Sequence, residues 1–356
     1  MGGDKHGAQP PKLIGVVLYG RNGIWSVVTE QGELSCRVRG RLLPRAGPGW
    51  RSQRDRERAL AVWAMPEELA DEPPEGADQG LERARGGSGG RRDADTLLEP
   101  VAGDRVVCRL LRPGAGVIME VLARRSLLER PPIANCDHVV VVMAWEQPPF
   151  SPVLVDRVIL EAAAQGCSAT LCLAKWDLLD PESQTHALAV LGPWRQAGVG
   201  VLVVSAVSGE GLDDLAGALA GRVSVLAGPS GAGKSRLLQA LVPGREVRSG
   251  SLSRRSGRGR HTTRVVELLP LPAGGWVADT PGFSRLDLAG ISAAELEGLY
   301  PDFGPWRAEC RFRGCRHVSE PGCAVREASE AGRLDAGRYS RYLQLLAEIE
   351  ARPAWR

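Results

Sequence analysis

"AGPSGAGKSRLL", residues 227–238, is the stretch that decides the fold. Gly228, Pro229, Ser230, Gly231, Ala232, Gly233, Lys234 and Ser235 meet every fixed position of the pattern G-x-x-x-x-G-K-S. The run "RVSVLAG" before it reads as a strand, and "KSRLLQALV" after it as a helix. Glycines in such a turn let backbone N–H groups converge on phosphate oxygens, and the following helix turns its positive end toward the anion. Lys234 supplies a point charge for the β and γ phosphates, Ser235 a hydroxyl for Mg²⁺, and Arg236 closes the same nucleotide-binding run. Such a loop ordinarily follows the first strand of its domain. Here it starts near the middle of a 356-residue chain, so the residues ahead of it need an account.

Working outward, "VADTPG" (277–282) ends a second apolar run. An Asp at a strand terminus beside a phosphate loop holds Mg²⁺, which is Asp279 here, and the N–H of Gly282 is placed to approach a γ-phosphate. Between the two lies "RRSGRGRHTTR" (254–264), a polar loop suited to order around the metal and γ-phosphate, with Thr262 or Thr263 as the ligand. Upstream, "LCLAKWDLL" brings Ala174, Lys175, Trp176 and Asp177 to a strand end. A carboxylate there accepts from both N1–H and the exocyclic amine of guanine, while the Lys175 stem packs along the base. Adenine lacks that donor pair, so Asp177 selects GTP over ATP. "VVSAVSGEGL" follows, with the backbone of Ser205 and Ala206 directed at guanine O6.

The remaining pattern fits this core. "HVVVVMAW", "SATLCLAKWD" and "VGVLVVSA" are continuous apolar runs alternating with helical stretches, as buried parallel strands are. Residues 133–286 therefore read as a doubly wound α/β nucleotide domain. Residues 1–132 hold five short β-rich runs with glycine turns, which suit an OB-type β-barrel. They are interrupted at 50–97 by an Arg-, Glu- and Gly-rich insertion too poor in apolar residues to pack. Residues 287–356 read as a small α-helical domain. Hydrophobic residues make up 43% and charged residues 24% of the chain, enough for a sizeable core, while a net charge of +3 does not by itself call for a polyanion. The N-terminus has no apolar leader and no run reaches membrane-spanning length, so the expected place is the cytoplasm. A myristoylation reading of Gly2 fails on His6.

Cys36, Cys108, Cys136, Cys167 and Cys172 are scattered and read as small buried apolar residues. The last three cysteines cluster as Cys310-x₄-Cys315-x-His317-x₅-Cys323. Three thiolates and an imidazole make a closed tetrahedral set, suited to one structural Zn²⁺ per chain, with no position left for a reactive water. The arginines around this knuckle, Arg307, Arg311, Arg313, Arg316 and Arg326, offer a phosphate-binding surface for RNA.

Taken together, the base-reading pair, the phosphate loop and the two switch segments occur in a rotated order. That order resembles the circularly permuted GTPases. With a barrel ahead, "GRHTT" in the first switch and the cysteine/histidine cluster behind, the chain is similar to the RsgA (YjeQ) family over nearly its whole length outside the insertion. The resemblance implies a GTPase that assists late maturation of the small (30S) ribosomal subunit. It implies rRNA contact, binding of GTP and GDP with Mg²⁺, a monomer, and turnover that is slow alone and faster on the subunit. It also implies that His261 positions the attacking water. Two departures stand out. The base-reading motif opens with Ala174, where such proteins usually carry Asn, which predicts weakened affinity. Phe283 stands where many GTPases carry a water-orienting Gln, and in this family that position is apolar. Two rivals accompany this reading: an RNA-binding assembly chaperone with a vestigial nucleotide site, favoured by Ala174, and an ATP-using enzyme, disfavoured by Asp177.

Overall fold

The computed structural model describes residues 12–38, 99–129, 131–244, 266–279 and 288–352. The insertion 50–97 and His261, Thr262, Thr263, Gly282 and Phe283 lie outside the described residues. The chain forms two compact units.

The first is the barrel. Strands β1 (Lys12–Arg21), β2 (Ile24–Thr29), β3 (Gly32–Val38), β4 (Arg105–Arg112) and β5 (Ala115–Val121) close in the order β1-β2-β3-β5-β4. The closing pairs are β3 with β5, parallel, and β1 with β4, antiparallel. Alternate residues point inward, as the period of a strand requires. Val27, Leu34, Cys36, Val106, Cys108 and Ile118 fill the interior, so the two cysteines are packing residues as expected.

The second unit opens with a short hairpin, β6 (Leu127–Glu129) and β7 (Pro132–Ala134), and then builds a six-stranded sheet. Its strands are β8 (His138–Met143), β9 (Ser168–Ala174), β10 (Gly200–Val204), β11 (Val223–Ala227), β12 (Glu267–Pro270) and β13 (Trp276–Asp279), in the order β10-β9-β8-β11-β13-β12. All neighbours are parallel except β12 with β13. β8 lies between β9 and β11, and every residue of "HVVVVM" is buried, which is why its apolar run is unbroken. Helix α1 (Pro152–Ala164) follows β8; Ser151 accepts from the Leu154 N–H and Pro152 starts the first turn. Helix α2 (Pro181–Gln196) repeats the device with Asp180, which accepts from Ser183 N–H at 2.8 Å. α3 (Leu212–Leu219) and α4 (Lys234–Leu241) complete the layers.

The C-terminal helices α5 (Ala293–Leu296), α6 (Gly304–Arg307), α7 (Ala324–Glu330) and α8 (Ala336–Glu350) belong to this same unit. Tyr300, Phe303, Tyr342 and Leu345 form their core together with Leu160 of α1. The join also contains charge. Asp156 of α1 is fully buried and pairs with Arg338 and Arg341 of α8. Trp194 of α2 donates to the same carboxylate at 2.7 Å, and Arg338 pairs in turn with Asp302. Arg157 and Glu348 add an ion pair at the edge. Shared apolar core plus a fully partnered buried carboxylate explains why residues 288–352 pack as one body with the sheet. No helix among the described residues is long and apolar enough to cross a membrane.

Candidate functional site

The phosphate loop connects β11 to α4. Gly228 has φ +141°, and a Cβ there would sit 2.0 Å from the carbonyl oxygen of Val142 on β8. That glycine lets the loop leave the sheet between packed strands; its role is room beside β8. Gly233 has φ +108° at the start of α4, and a Cβ there would lie 3.6 Å from the Ala174 Cβ and 3.9 Å from Lys175 Cγ. The end of β9 therefore packs on the phosphate loop, although about sixty residues separate them in the chain (174 to 233).

A cavity of about 580 Å³ opens at this contact, within the range of small-molecule sites. Ala174, Lys175, Asp177 and Ala206 line it from β9, β10 and their loops. Ser230, Gly231, Gly233, Lys234, Ser235 and Arg236 line it from the phosphate loop, and Asp279 from the end of β13. Base-reading, phosphate and Mg²⁺ candidates thus share one space. Lys234 donates to the carbonyls of Gly228 at 2.7 Å and Pro229 at 2.8 Å, and burial lowers its ammonium below the usual lysine range. Lys175 adopts a left-handed conformation (φ 62°), and its ammonium donates to Gln147 O at 2.7 Å.

Ser205 departs from its expected use. It is fully buried, and its backbone N–H donates to Glu210 O at 2.9 Å, so that group is committed inside the loop. Its hydroxyl instead bonds Asp177 Oδ1 and accepts from the N–H groups of Val207 at 3.1 Å and Ser208 at 3.0 Å. Ser205 is a strut that fixes the Asp177 carboxylate. Trp176, Gly228, Pro229 and Ala232 support the walls without lining the cavity. Leu178 and Val207 do line it and are 71% and 69% exposed; the sequence signal for Leu178 is its position directly after Asp177. Large apolar side chains that exposed are suited to cover the faces of a planar base.

The second constellation is a group of three cysteines and one histidine that could hold a metal ion. One ligand atom each from Cys310, Cys315, His317 and Cys323 lies within 4.8 Å of the others. His317 Nδ1 is 3.6 Å from Cys310 Sγ and 3.4 Å from Cys323 Sγ. A tetrahedral ion with bonds of about 2.0–2.3 Å sets ligand edges of about 3.5–3.8 Å, so the donor set fits. The other ring nitrogen, Nε2, bonds Glu297 at 2.8 Å, which leaves Nδ1 as the free ligand atom. Tyr339 and Tyr342 bond the carbonyls of His317 and Arg316, fixing the turn in which His317 takes φ 59°. Burial pushes the Cys315 thiol up to about 12 and raises Cys323 as well; a bound dication reverses that shift by favouring thiolate.

The family model of the RsgA GTPase matches residues 121–289. A small ribosomal subunit biogenesis GTPase RsgA from Moorella thermoacetica is 46% identical over 258 residues, covering 72% of this chain and 87% of that protein. The chain belongs to the RsgA family. An RsgA protein of Geobacillus kaustophilus is 45% identical, again over 72% of this chain and 87% of its own. Among solved structures, YjeQ from Thermotoga maritima superposes with a TM-score of 0.72 at 27% identity, covering 96% of this chain and all of that one. YloQ, described as a circularly permuted GTPase, gives 0.69 at 27% identity over 99% of this chain and all of its own. As a member of the RsgA family the chain is a GTP hydrolase with a circularly permuted nucleotide domain. The permutation is visible in the sheet: β9 and β10 precede the phosphate-loop strand in the chain, yet all three deliver residues to one cavity. Membership in a GTPase family also implies Mg²⁺, and Ser235 and Asp279 both line the cavity.

Proposed function

We propose that this chain is a cytoplasmic, monomeric GTPase of 30S ribosomal subunit maturation that uses the shared cavity as its guanine-nucleotide site. The observation that carries the proposal is that Asp177 and Lys234 line one cavity. Asp177, held by Ser205, accepts from N1–H and the exocyclic amine of guanine, while the Ala206 N–H meets O6. Lys175, Leu178 and Val207 cover the base with apolar surface. The N–H groups of Ser230 to Arg236 and the Lys234 ammonium hold the phosphates. Ser235, Asp279 and Thr262 or Thr263 are the candidate ligands that would hold Mg²⁺, which would neutralise negative charge developing on the phosphates. Gly282 approaches the γ-phosphate and His261 orients a water. That water attacks the γ-phosphorus, a new P–O bond forms, and the bond to the β-phosphate oxygen breaks, giving GDP and inorganic phosphate. Phe283 cannot orient water, so turnover is slow until the subunit completes the site.

Cys310, Cys315, His317 and Cys323 would hold one structural Zn²⁺, with Glu297 fixing the imidazole. The barrel and the metal knuckle contact rRNA, and hydrolysis releases the protein from the particle. The decisive experiment measures phosphate release from GTP with and without small subunits, for the parent and for Lys234→Ala. Stimulation in the parent and its loss in the variant are expected. A variant that turns over GTP as fast as the parent would leave the chain an RNA-binding chaperone with a vestigial site, the reading that Ala174 favours by offering the base no polar side-chain atom.

A further inference from the structure

A second cavity, about 370 Å³, opens over the Cys/His cluster, and Cys310, Cys315, His317 and Glu297 form its floor. Its lining includes Arg307, Arg311, Phe312 and Arg313. The ion pairs of the surrounding helices single these residues out. Arg316 pairs with Glu350, Arg326 with Glu330, Arg338 with Asp156 and Asp302, Arg341 with Asp156, and Arg352 with Glu348. Arg333 lies over the Trp306 ring at 4.6 Å. Among the described residues, Arg307, Arg311 and Arg313 form no ion pair, and all three line this one cavity. The carboxylate on its wall, Glu297, is already bonded to His317. Three unpaired guanidiniums around one concavity make an anion site.

An aromatic ring joins them. Phe312 is 45% exposed, and the Arg311 guanidinium lies 5.5 Å from its centroid. The ring is not needed by the core, which is closed by Tyr300, Phe303 and Tyr342. The segment that bears Arg311, Phe312 and Arg313 runs between two ligand positions, Cys310 and Cys315, and Arg311 N–H is anchored on Gly322 O at 3.0 Å. Its backbone is therefore short and tied at both ends, which lowers the ordering cost of binding.

We propose that this cavity captures an unpaired nucleotide of single-stranded RNA, the base stacked on Phe312 and the flanking phosphates on Arg307, Arg311 and Arg313. Stacking on an aromatic ring needs a base that has left its helix, and several guanidiniums beside an exposed ring suit a nucleic-acid strand better than a simple anion. The proposal rests on the reading that the chain works on ribosomal RNA and narrows it to a mode of recognition and to named residues.

The test uses the full-length, metal-loaded chain and fluorescein-labelled single-stranded RNA decamers, read by anisotropy over a salt series. Phe312→Ala is expected to weaken binding by about tenfold or more, the loss of one stacked base. Phe312→Trp should retain the affinity. Arg311→Ala and Arg313→Ala should each reduce the steepness of log Kd against log salt by about 0.7, whereas Phe312→Ala should leave that slope unchanged. Because the barrel also faces RNA in the proposed function, the contact is located independently by photocrosslinking 5-iodouridine RNA and sequencing the crosslinked peptide. The peptide containing Phe312 is expected. Bound zinc and melting temperature of Phe312→Ala should match the parent, since the side chain is exposed. Unchanged affinity in Phe312→Ala, a crosslink confined to the barrel, or equal competition by polyglutamate or duplex RNA would each overturn the proposal. If small subunits stimulate GTP hydrolysis by the parent while these results fail, only this inference falls; if stimulation is absent, the function itself falls.

Discussion

Replacing Ser205 by Ala should cost base selectivity while sparing the phosphates. The Ser205 hydroxyl bonds Asp177 Oδ1 and accepts from the N–H groups of Val207 and Ser208. Removing it deprives the carboxylate of a donor and two amides of their acceptor, in a residue with no solvent exposure. A hydrogen bond to a charged group contributes about 1.5–3 kcal/mol, and the open mouth of the cavity lets water recover part of it. A net loss of about 1.5 kcal/mol at the base corresponds to roughly tenfold weaker GTP binding. ATP offers Asp177 no matching donor pair, so its affinity should hardly change. The assay is competition against a fluorescent GTP analogue, with GTP, GDP and ATP titrated separately into parent, Ser205→Ala and Ser205→Thr. The GTP-to-ATP affinity ratio should fall about tenfold in Ser205→Ala and recover in Ser205→Thr, which keeps the hydroxyl. Equal losses for GTP and ATP, or an unchanged ratio, would refute the strut.

Two further outcomes concern stability. Asp156→Ala leaves Arg338, 2% exposed, without one of its two carboxylate partners and should cost about 3–5 kcal/mol, lowering the melting temperature by about 10 °C; adding Arg338→Met should restore part of it, and a single-variant shift below about 3 °C would contradict the buried-charge argument. His138 is buried, its Nδ1 2.7 Å from Ser168 Oγ and 3.4 Å from Arg222, and burial, aided by that guanidinium, lowers it to about 4. The unfolded chain takes up the proton near pH 6.5 and the folded chain only near pH 4, so His138 should remove up to about 3 kcal/mol of stability as pH falls through that window. Urea melts of His138→Gln should show a correspondingly smaller loss between pH 7 and pH 4 than the parent.

Much of this was legible in the sequence because the signals were local. The phosphate loop, the Cys310–Cys323 spacing and the apolar runs of β8, β9 and β11 each state their own structure over a few residues. The five barrel runs became the five strands of a closed barrel, and the scattered cysteines became packing residues. What escaped was decided by contacts between distant segments. β12 is four residues long and ends in Pro270, so nothing in its pattern marks an edge strand that exists because β13 offers it a partner. The hairpin of β6 and β7 has three residues a side and escaped for the same reason. Ser205 was expected to offer its backbone to the base, but Glu210 takes that N–H, and only the folded loop reveals the hydroxyl reaching Asp177. Asp156 carries no motif at all; its importance comes from Arg338 and Arg341, more than one hundred and eighty residues downstream.

The central claim, that β9 supplies the base grip for a phosphate loop far along the chain, is tested most directly by changing the base that Asp177 reads. Asp177→Asn replaces an acceptor with an amide that can donate to the 2-carbonyl of xanthine. Paired measurements of GTP and XTP affinity should show the parent preferring GTP and the variant preferring XTP, with Lys234→Ala weakening both nucleotides in either background. An Asp177→Asn protein that keeps the parent's preference for GTP would mean that Asp177 does not touch the base.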